Sequence, residues 1–445
     1  MVKKIKVIGG GLAGPEAALQ AARFGCEVTL YEMRPHRSTE AHQTSDFAEL
    51  VCSNSLKSES ENTAPWLLKQ EMRLAGSALL KEADACAVPA GHALAVDRVE
   101  FSRRVAERIA AEPRITVVRE EVTSLDENRE DTLTILATGP LTSPALAAEL
   151  QRLTGADQLA FYDSIAPVVD ASTINMDRVY FKARWDKGSA DYINCPFTKE
   201  EYDTFYDALV AAHEVEAKEW EKLDYFEGCL PIEEIARRGR DTLRFGCMKP
   251  VGLRYPGTEI TPYAVVQLRQ ENLRADSYNL VGFQNHIKFG DQQRILRLIP
   301  GLENATFLRY GQIHRNTYIN SPTLLNEQLQ LRQHPNILIA GQLSGVEGYT
   351  ESIAGGMLAG RFAAAIARGE TPASAPRLSA HGSLVHYITH AEAKRFQPAN
   401  VTFDLLLPLE EELRKKIRDK KERHRIQCER GINAWKEWLE ASALS

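Results

Sequence analysis

The chain has 445 residues, 44% hydrophobic and 26% charged, with 54 Lys and Arg against 60 Asp and Glu for a net charge of −6. This composition excludes a wholly disordered, collagen-like or disulfide-scaffold protein, and the length suits two or three domains at about 150 residues each. The chain is not globally basic, so any contact with nucleic acid must use local patches.

In chain order, the apolar run Ile5 to Ile8 predicts a buried parallel strand. The turn Gly9-Gly10-Gly11-Leu12-Ala13-Gly14 follows. Pro15 to Phe24 predicts a helix stopped at Gly25, and Val28 to Tyr31 predicts a second strand ending at Glu32. Residues 38 to 63 are polar and read as loops. The spacing of Leu67, Leu68, Met72, Ala75 and Leu79 predicts one helix over Trp66 to Lys81. Asp97 to Ala111 predicts another helix, Ile115 to Val118 a strand, and Thr134 to Ala137 a strand that stops at Thr138-Gly139.

Between about 160 and 325 the composition shifts towards aromatic and β-prone runs such as Ala264 to Leu268, with a long charged helix expected over Lys199 to Trp220. Asn336 to Gly341 returns to the buried-strand pattern. Gly345 to Gly360 is helix-capable, Thr371 to Pro376 reads as a surface loop, and the chain from Pro408 onward is charged and helical.

Seven cysteines, at 26, 52, 86, 195, 229, 247 and 428, form no CxxC pair. That pattern excludes the common zinc-finger and dithiol motifs and fits reduced thiols in a cytoplasm, with no metal expected. The first residues lack the apolar stretch of a signal peptide, and no run of about 18 apolar residues predicts a membrane span.

Gly9-x-Gly11-x-x-Gly14 has the spacing of a dinucleotide fingerprint. The first glycine permits a tight turn, the second lets backbone approach a pyrophosphate, and the third lets helix and strand pack closely. Free N–H groups at the helix start favour phosphate. Glu32 stands 18 residues after Gly14, where an acid would bind ribose hydroxyls. Leu136-Ala137-Thr138-Gly139 and Asn336 to Gly341 resemble the corresponding strand ends of two-dinucleotide flavoproteins, which favours FAD over NAD as the bound dinucleotide. Such proteins often carry Gly-Asp where this chain has Gly341-Gln342. Helix N–H groups near Tyr349 to Ile353 are the expected substitute contact.

Cys229 is followed by Pro231, suited to the first helical position, by Glu233 and Glu234 in the first turn, and by Arg237, Arg238 and the capping Gly239. A thiol at a helix start is poised to ionise, although the glutamates oppose this. The pattern alone leaves a buried, inert thiol as the plainer alternative.

Gly9 to Gly14, Val51 to Leu56, Gly228 to Pro231, Met248 to Leu253, His314 to Tyr318 and Gly345 to Tyr349 occur in this order. Together they resemble the folate- and FAD-dependent tRNA (uracil-5-)-methyltransferases, the TrmFO family, over about residues 5 to 360. The resemblance implies an α/β fold with a Rossmann-like FAD-binding domain built from both chain ends (1–160 and 330–445) and an inserted α/β domain (161–329). It implies formation of 5-methyluridine in the T-loop of tRNA. The carbon comes from methylenetetrahydrofolate, and the reducing equivalents come from NADPH or NADH through FAD. It also implies Cys229 as nucleophile, Cys52 as a second catalytic cysteine near the flavin, and Tyr349 as an aromatic stacked on the folate. His314 and Arg315 fall in a motif expected near the flavin or folate, without a role.

Expected partners are tRNA, through Arg237, Arg238, Arg240 and Arg244 and through residues 414 to 425, and folate. A monomer is compatible with the sequence. Phe396, Trp435 and Trp438 read as core packing, with base stacking as the alternative, and Cys247 reads as structural. The GidA-type enzymes, which modify the wobble uridine, share the glycine fingerprint, but this chain lacks their long C-terminal helical domain. A non-catalytic flavin-bound RNA-binding protein and a generic flavin oxidoreductase are the remaining alternatives.

Overall fold

The protein is described by a computed structural model over residues 3–39, 41–125, 131–156, 159–214 and 230–442. The apolar run at the start forms the strand Lys4–Ile8, the centre of five parallel strands. Thr132–Leu136 and then Ile337–Ile339 lie on one side of it, and Val28–Glu32 and then Ile115–Arg119 on the other. The sheet thus joins a strand near residue 5 to one near residue 338. The inner strands are short and largely buried, as covered parallel strands are, whereas the edge strand Ile115–Arg119 leaves Thr116 and Val117 exposed.

Two helices cover one face. Ala13–Arg23 buries nearly every residue, and it packs against Tyr349–Ala367, which is apolar around almost its whole circumference. The close approach depends on small residues. A Cβ at Gly356 would lie 2.2 Å from the Ala13 carbonyl oxygen, and one at Gly360 would lie 2.4 Å from that of Ala17.

The middle of the chain builds a second, six-stranded sheet in the order Tyr180–Phe181, Ile193–Phe197, Ala264–Gln270, Ser277–Leu280, Val168–Asp170, Phe307–Arg309. Its apolar core, including Phe197, Phe205, Leu268 and Phe283, is separate from the core under the parallel sheet. Leu159–Ser164 and Ile313–Tyr318 pair antiparallel where the chain enters and leaves this region.

Three sequence expectations change. The helix expected over 66–81 is two helices, Ala64–Ala75 and Ala78–Ala85. Gly76, at φ +74°, ends the first, and the Ser77 hydroxyl accepts the Leu80 N–H to start the second. The helix expected over 199–220 runs only Lys199–Val210, started by a capping box between Thr198 and Glu201. Residues 211–214 leave it and 215–220 lie outside the described residues. The polar stretch 38–63 contains a strand, Ser55–Ser58, paired with Ala93–Val96.

The helices expected from Asp97 and after Pro408 are present as Arg98–Ala110, Glu411–Lys416 and Lys420–Ala441. Trp435, Trp438 and Phe396 are buried in the core.

Candidate functional site

The glycine turn sits where the sheet's carboxyl ends meet the first helix. Gly9 has φ +116°, and a Cβ there would lie 2.4 Å from the Ala137 carbonyl oxygen; one at Gly14 would lie 1.8 Å from that of Gly9. Only glycine fits either position. Around Gly11 nothing lies within 4 Å of where a Cβ would stand, so the backbone there faces open space.

That space is a cleft lined by residues 8–13, 31–34, 137–143, Gly341, Gln342 and Tyr349. Of the expected cofactor contacts, Gly9, Gly10, Gly11, Leu12, Ala13, Glu32, Thr138, Gly139, Gly341, Gln342 and Tyr349 all line it. Gly14 does not; it packs beneath the turn.

Two helix starts flank the cleft, at Ala13 and Tyr349, and neither has a side-chain cap on its N–H groups. The acids in their first turns are already engaged elsewhere. Glu16 is buried and accepts the N–H groups of Ala78 and Leu79. Glu351 is paired with Lys57 Nζ at 2.7 Å. The uncapped N–H groups therefore remain for an anionic ligand. An open glycine turn, two uncapped helix starts and the cleft they flank fit FAD.

Glu32 ends its strand as expected, but its carboxylate is not simply presented to a ribose. Oε2 accepts the Gly10 N–H at 2.8 Å, and Oε1 accepts both Arg34 N and Nε at 2.9 Å. Burial disfavours its charge, yet the Arg34 bonds hold the carboxyl below the usual range. Arg34 reaches on to Glu49 at 3.1 Å. Gln342 stands where flavoproteins often have Asp, and it donates to Glu347 Oε2 at 2.7 Å, so a carboxylate lies close by from five residues further on.

The segment Val51 to Asn54 is gripped from several sides. The Tyr349 phenol oxygen accepts the N–H groups of Cys52 and Ser53 at 2.7 and 3.1 Å, and burial pushes that phenol's pKa up. Arg98 donates to the Leu50 carbonyl at 2.6 Å, and Arg309 to those of Val51 and Cys52 at 3.0 and 3.2 Å. Arg98 also pairs with Glu271, whose carboxyl is held below the usual range by that guanidinium despite burial. Burial pushes Arg309 down to about 10. Arg269 donates to Ser53 Oγ at 2.7 Å and to Asn54 Oδ1 at 3.0 Å. Arg269 and Arg309 come from strands of the middle sheet and Glu271 directly follows one, so the Cys52 segment is held between the two cores. Sequence reading missed all of these residues except Tyr349, because no spacing links 98, 271 and 309.

Cys229 lies outside the described residues. The helix after it runs Ile232–Arg237 with Pro231 as its N-cap residue, not its first helical residue. Both flanks of the 215–229 segment meet at His286. Its Nδ1 lies 2.7 Å from Glu233 Oε1, and its Nε2 lies 2.9 Å from Glu214 Oε2. Burial opposes charge on this imidazole, but the two carboxylates prevail and raise its pKa.

The other described cysteines, 26, 86, 195, 247 and 428, have thiols pushed up by burial, Cys247 to about 12. That fits the structural reading of Cys247. His314 and Arg315 pair by backbone with Asp163 and Tyr162; their side chains lie outside the described ones.

The arginine cluster expected to meet phosphates is largely neutralised. Arg237 pairs with Glu214 and Glu234, Arg240 with Asp203 and Asp207, and Arg244 with Asp241. In the C-terminal stretch Arg414, Lys416, Arg418, Lys420 and Lys421 are exposed. No helix among the described residues is long and apolar enough to cross a membrane.

The profile of the family described as "Glucose inhibited division protein A" matches residues 4–371. A protein of Koribacter versatilis (strain Ellin345), "Methylenetetrahydrofolate--tRNA-(uracil-5-)-methyltransferase TrmFO", is 68% identical over 99% of each chain. Proteins of the same name from Solibacter usitatus (strain Ellin6076) and Bacillus cereus (strain G9842) are 59% and 54% identical, over 99% and 96% of this chain and 100% and 97% of theirs. Among solved structures, Aquifex aeolicus GidA aligns with all of this chain and 74% of its own, at TM-score 0.72 and 17% identity. That identity supports the fold alone.

Proposed function

We infer the function from one premise: this chain belongs to the TrmFO family of methylenetetrahydrofolate-dependent tRNA (uracil-5-)-methyltransferases. It transfers a one-carbon unit from methylenetetrahydrofolate to carbon 5 of a uridine in tRNA, and it is a flavoprotein. The position in the T-loop and the use of NADPH or NADH follow from the family resemblance. The observation that carries the reading is the meeting of the Cys52 segment with Tyr349 at the edge of the dinucleotide cleft.

We assign residues 1–160 and 330–445 to FAD binding and 161–329 to an inserted domain, which the two separate apolar cores support. The turn Gly9 to Gly14 and the helix start at Ala13 would hold the pyrophosphate. Glu32, braced by Arg34, would meet the adenosine ribose. Thr138, Gly139, Gly341 and Gln342 would meet the ribityl and ring portions. FAD, when bound and reduced, would supply the hydride that completes the methyl group.

The chain's own residues do the rest. Carbon 5 of uracil is a poor nucleophile. The Cys229 thiolate adds at carbon 6, which gives carbon 5 the electron density to attack the one-carbon unit; loss of the carbon 5 proton then lets the carbon–nitrogen bond to tetrahydrofolate break, and reduction of the resulting methylene releases the thiolate. Cys52 stands beside the cleft as the candidate acid or base. The Tyr349 ring offers a stacking face for the pterin, and its phenol fixes the Cys52 backbone.

The test is direct. Purified protein with FAD, NADPH, methylenetetrahydrofolate and unmodified tRNA should yield 5-methyluridine, mapped by mass spectrometry. No methyl transfer would refute the reading. A modified wobble uridine would favour the GidA-type activity instead. Cys229→Ala should abolish product while retaining yellow, flavin-bound protein.

A further inference from the structure

Beyond this activity, we propose that Glu327, His386 and His390 form a binding site for a divalent transition-metal ion of the zinc type. His386 and His390 stand one turn apart near the end of the helix Ala380–His390, so their rings share a face. The rings stack at 4.5 Å with an angle of 16°. Glu327, from the loop before the strand Ile337–Ile339, completes the group. One ligand atom from each of the three lies within 4.8 Å of the others. Two imidazoles and a carboxylate are a borderline donor set that suits zinc, with solvent in the fourth position.

The hydrogen bonding around His390 supplies the second observation. The buried Thr389 hydroxyl donates its one proton to the Val385 carbonyl at 2.7 Å. It lies 2.9 Å from His390 Nδ1, so Nδ1 must be the donor there. In a neutral ring the lone pair is then on Nε2, which lies 3.8 Å from Glu327 Oε1. Two acceptors at that distance share no hydrogen bond, but both can bind one cation. Ligating histidines are held in this way, with the far ring nitrogen donating to a fixed acceptor.

Tetrahedral zinc at about 2.0–2.1 Å from each ligand sets neighbouring ligands about 3.3 Å apart. The near-parallel rings must turn out of their stack for their in-plane lone pairs to converge on one ion.

A bound ion would tie the end of the histidine helix to the loop that carries Gln330, which bridges Leu338 in the outer strand of the parallel sheet. That strand leads into Gly341 and Gln342 at the cleft. The role is therefore to brace the fold rather than to enter the chemistry.

Titrate full-length, metal-stripped protein with zinc chloride at pH 7.5 by calorimetry. One equivalent should bind and raise the melting temperature. His390→Ala and His386→Ala should each weaken binding at least tenfold. Thr389→Val, which removes the Nδ1 acceptor together with the hydroxyl's bond to the Val385 carbonyl, should weaken it about 10–100-fold. If either histidine variant fails to fold, Glu327→Gln on the loop gives the same reading. Absence of binding at millimolar zinc, or an undiminished equivalent in the double histidine variant, would overturn the proposal. Cobalt substitution should give visible d–d bands that vanish in the same variants.

Discussion

Tyr349 does two things at one residue. Its ring lines the cofactor cleft, and its oxygen anchors the N–H groups of Cys52 and Ser53. Tyr349→Phe keeps the ring and leaves two partly buried donors unpaired, at about 1–3 kcal/mol each. Methyl transfer should fall at least tenfold while flavin stays bound, as measured by turnover and by the flavin absorbance of purified protein. Arg98 and Glu271 are a charge pair with side chains only 15% and 7% exposed. Breaking such a pair from one side costs about 3–5 kcal/mol, so Arg98→Ala should lower urea stability by that order and disorder the Cys52 segment.

His286 gives a pH prediction at the same scale. Its pKa is raised in the fold by Glu233 and Glu214 against the opposing effect of burial. Its contribution to stability is therefore fully present below the ordinary imidazole pKa and is lost as pH rises through the raised value. Wild-type melting temperature should exceed that of His286→Gln most at low pH, with the gap narrowing on the alkaline side. A gap that widens with pH would contradict the assigned charge pairing.

At the scale of elements, the glycine fingerprint works only with the second helix behind it. Gly356 and Gly360 let Tyr349–Ala367 lie directly on the backbone of Ala13–Arg23. Gly356→Ala must push the helices apart at Ala13, the start of the helix that borders the glycine turn. Overpacking of this kind costs about 1–3 kcal/mol. It should also reduce flavin affinity, which a flavin fluorescence titration would detect. The sequence showed both helices by composition, as an Ala-rich stretch stopped at Gly25 and a helix-capable run over Gly345 to Gly360. It did not show the break at Gly76, since Leu67 to Leu79 remain in helical phase across it. It also overran the helix after Thr198, because charged residues continued without a stop signal.

At the scale of the molecule, a net charge of −6 leaves tRNA to local positive surface. The arginines at 237, 240 and 244 are engaged by carboxylates, whereas several cations between 414 and 421 are exposed. Replacing Lys416, Arg418 and Lys421 together by alanine should weaken tRNA binding. The salt dependence of binding should fall by about one counterion for each cation that had met a phosphate. Arg240→Ala should change it little. Filter binding across a salt series would separate the two surfaces.

The sequence by itself determined the Rossmann-like start, the return of the chain to the same sheet near residue 337, and the family. Those features rest on local spacing: glycines that no other residue can replace, and strands whose apolar runs report burial on both faces. Only the tertiary structure decided what holds the Cys52 segment. Arg98, Glu271 and Arg309 meet there from distant parts of the chain, and a charge pair formed across two cores leaves no period in either partner's sequence. It also decided that the arginines at 237, 240 and 244 meet carboxylates while Arg414, Lys416, Arg418, Lys420 and Lys421 are exposed, because compensation depends on carboxylates brought in by the fold.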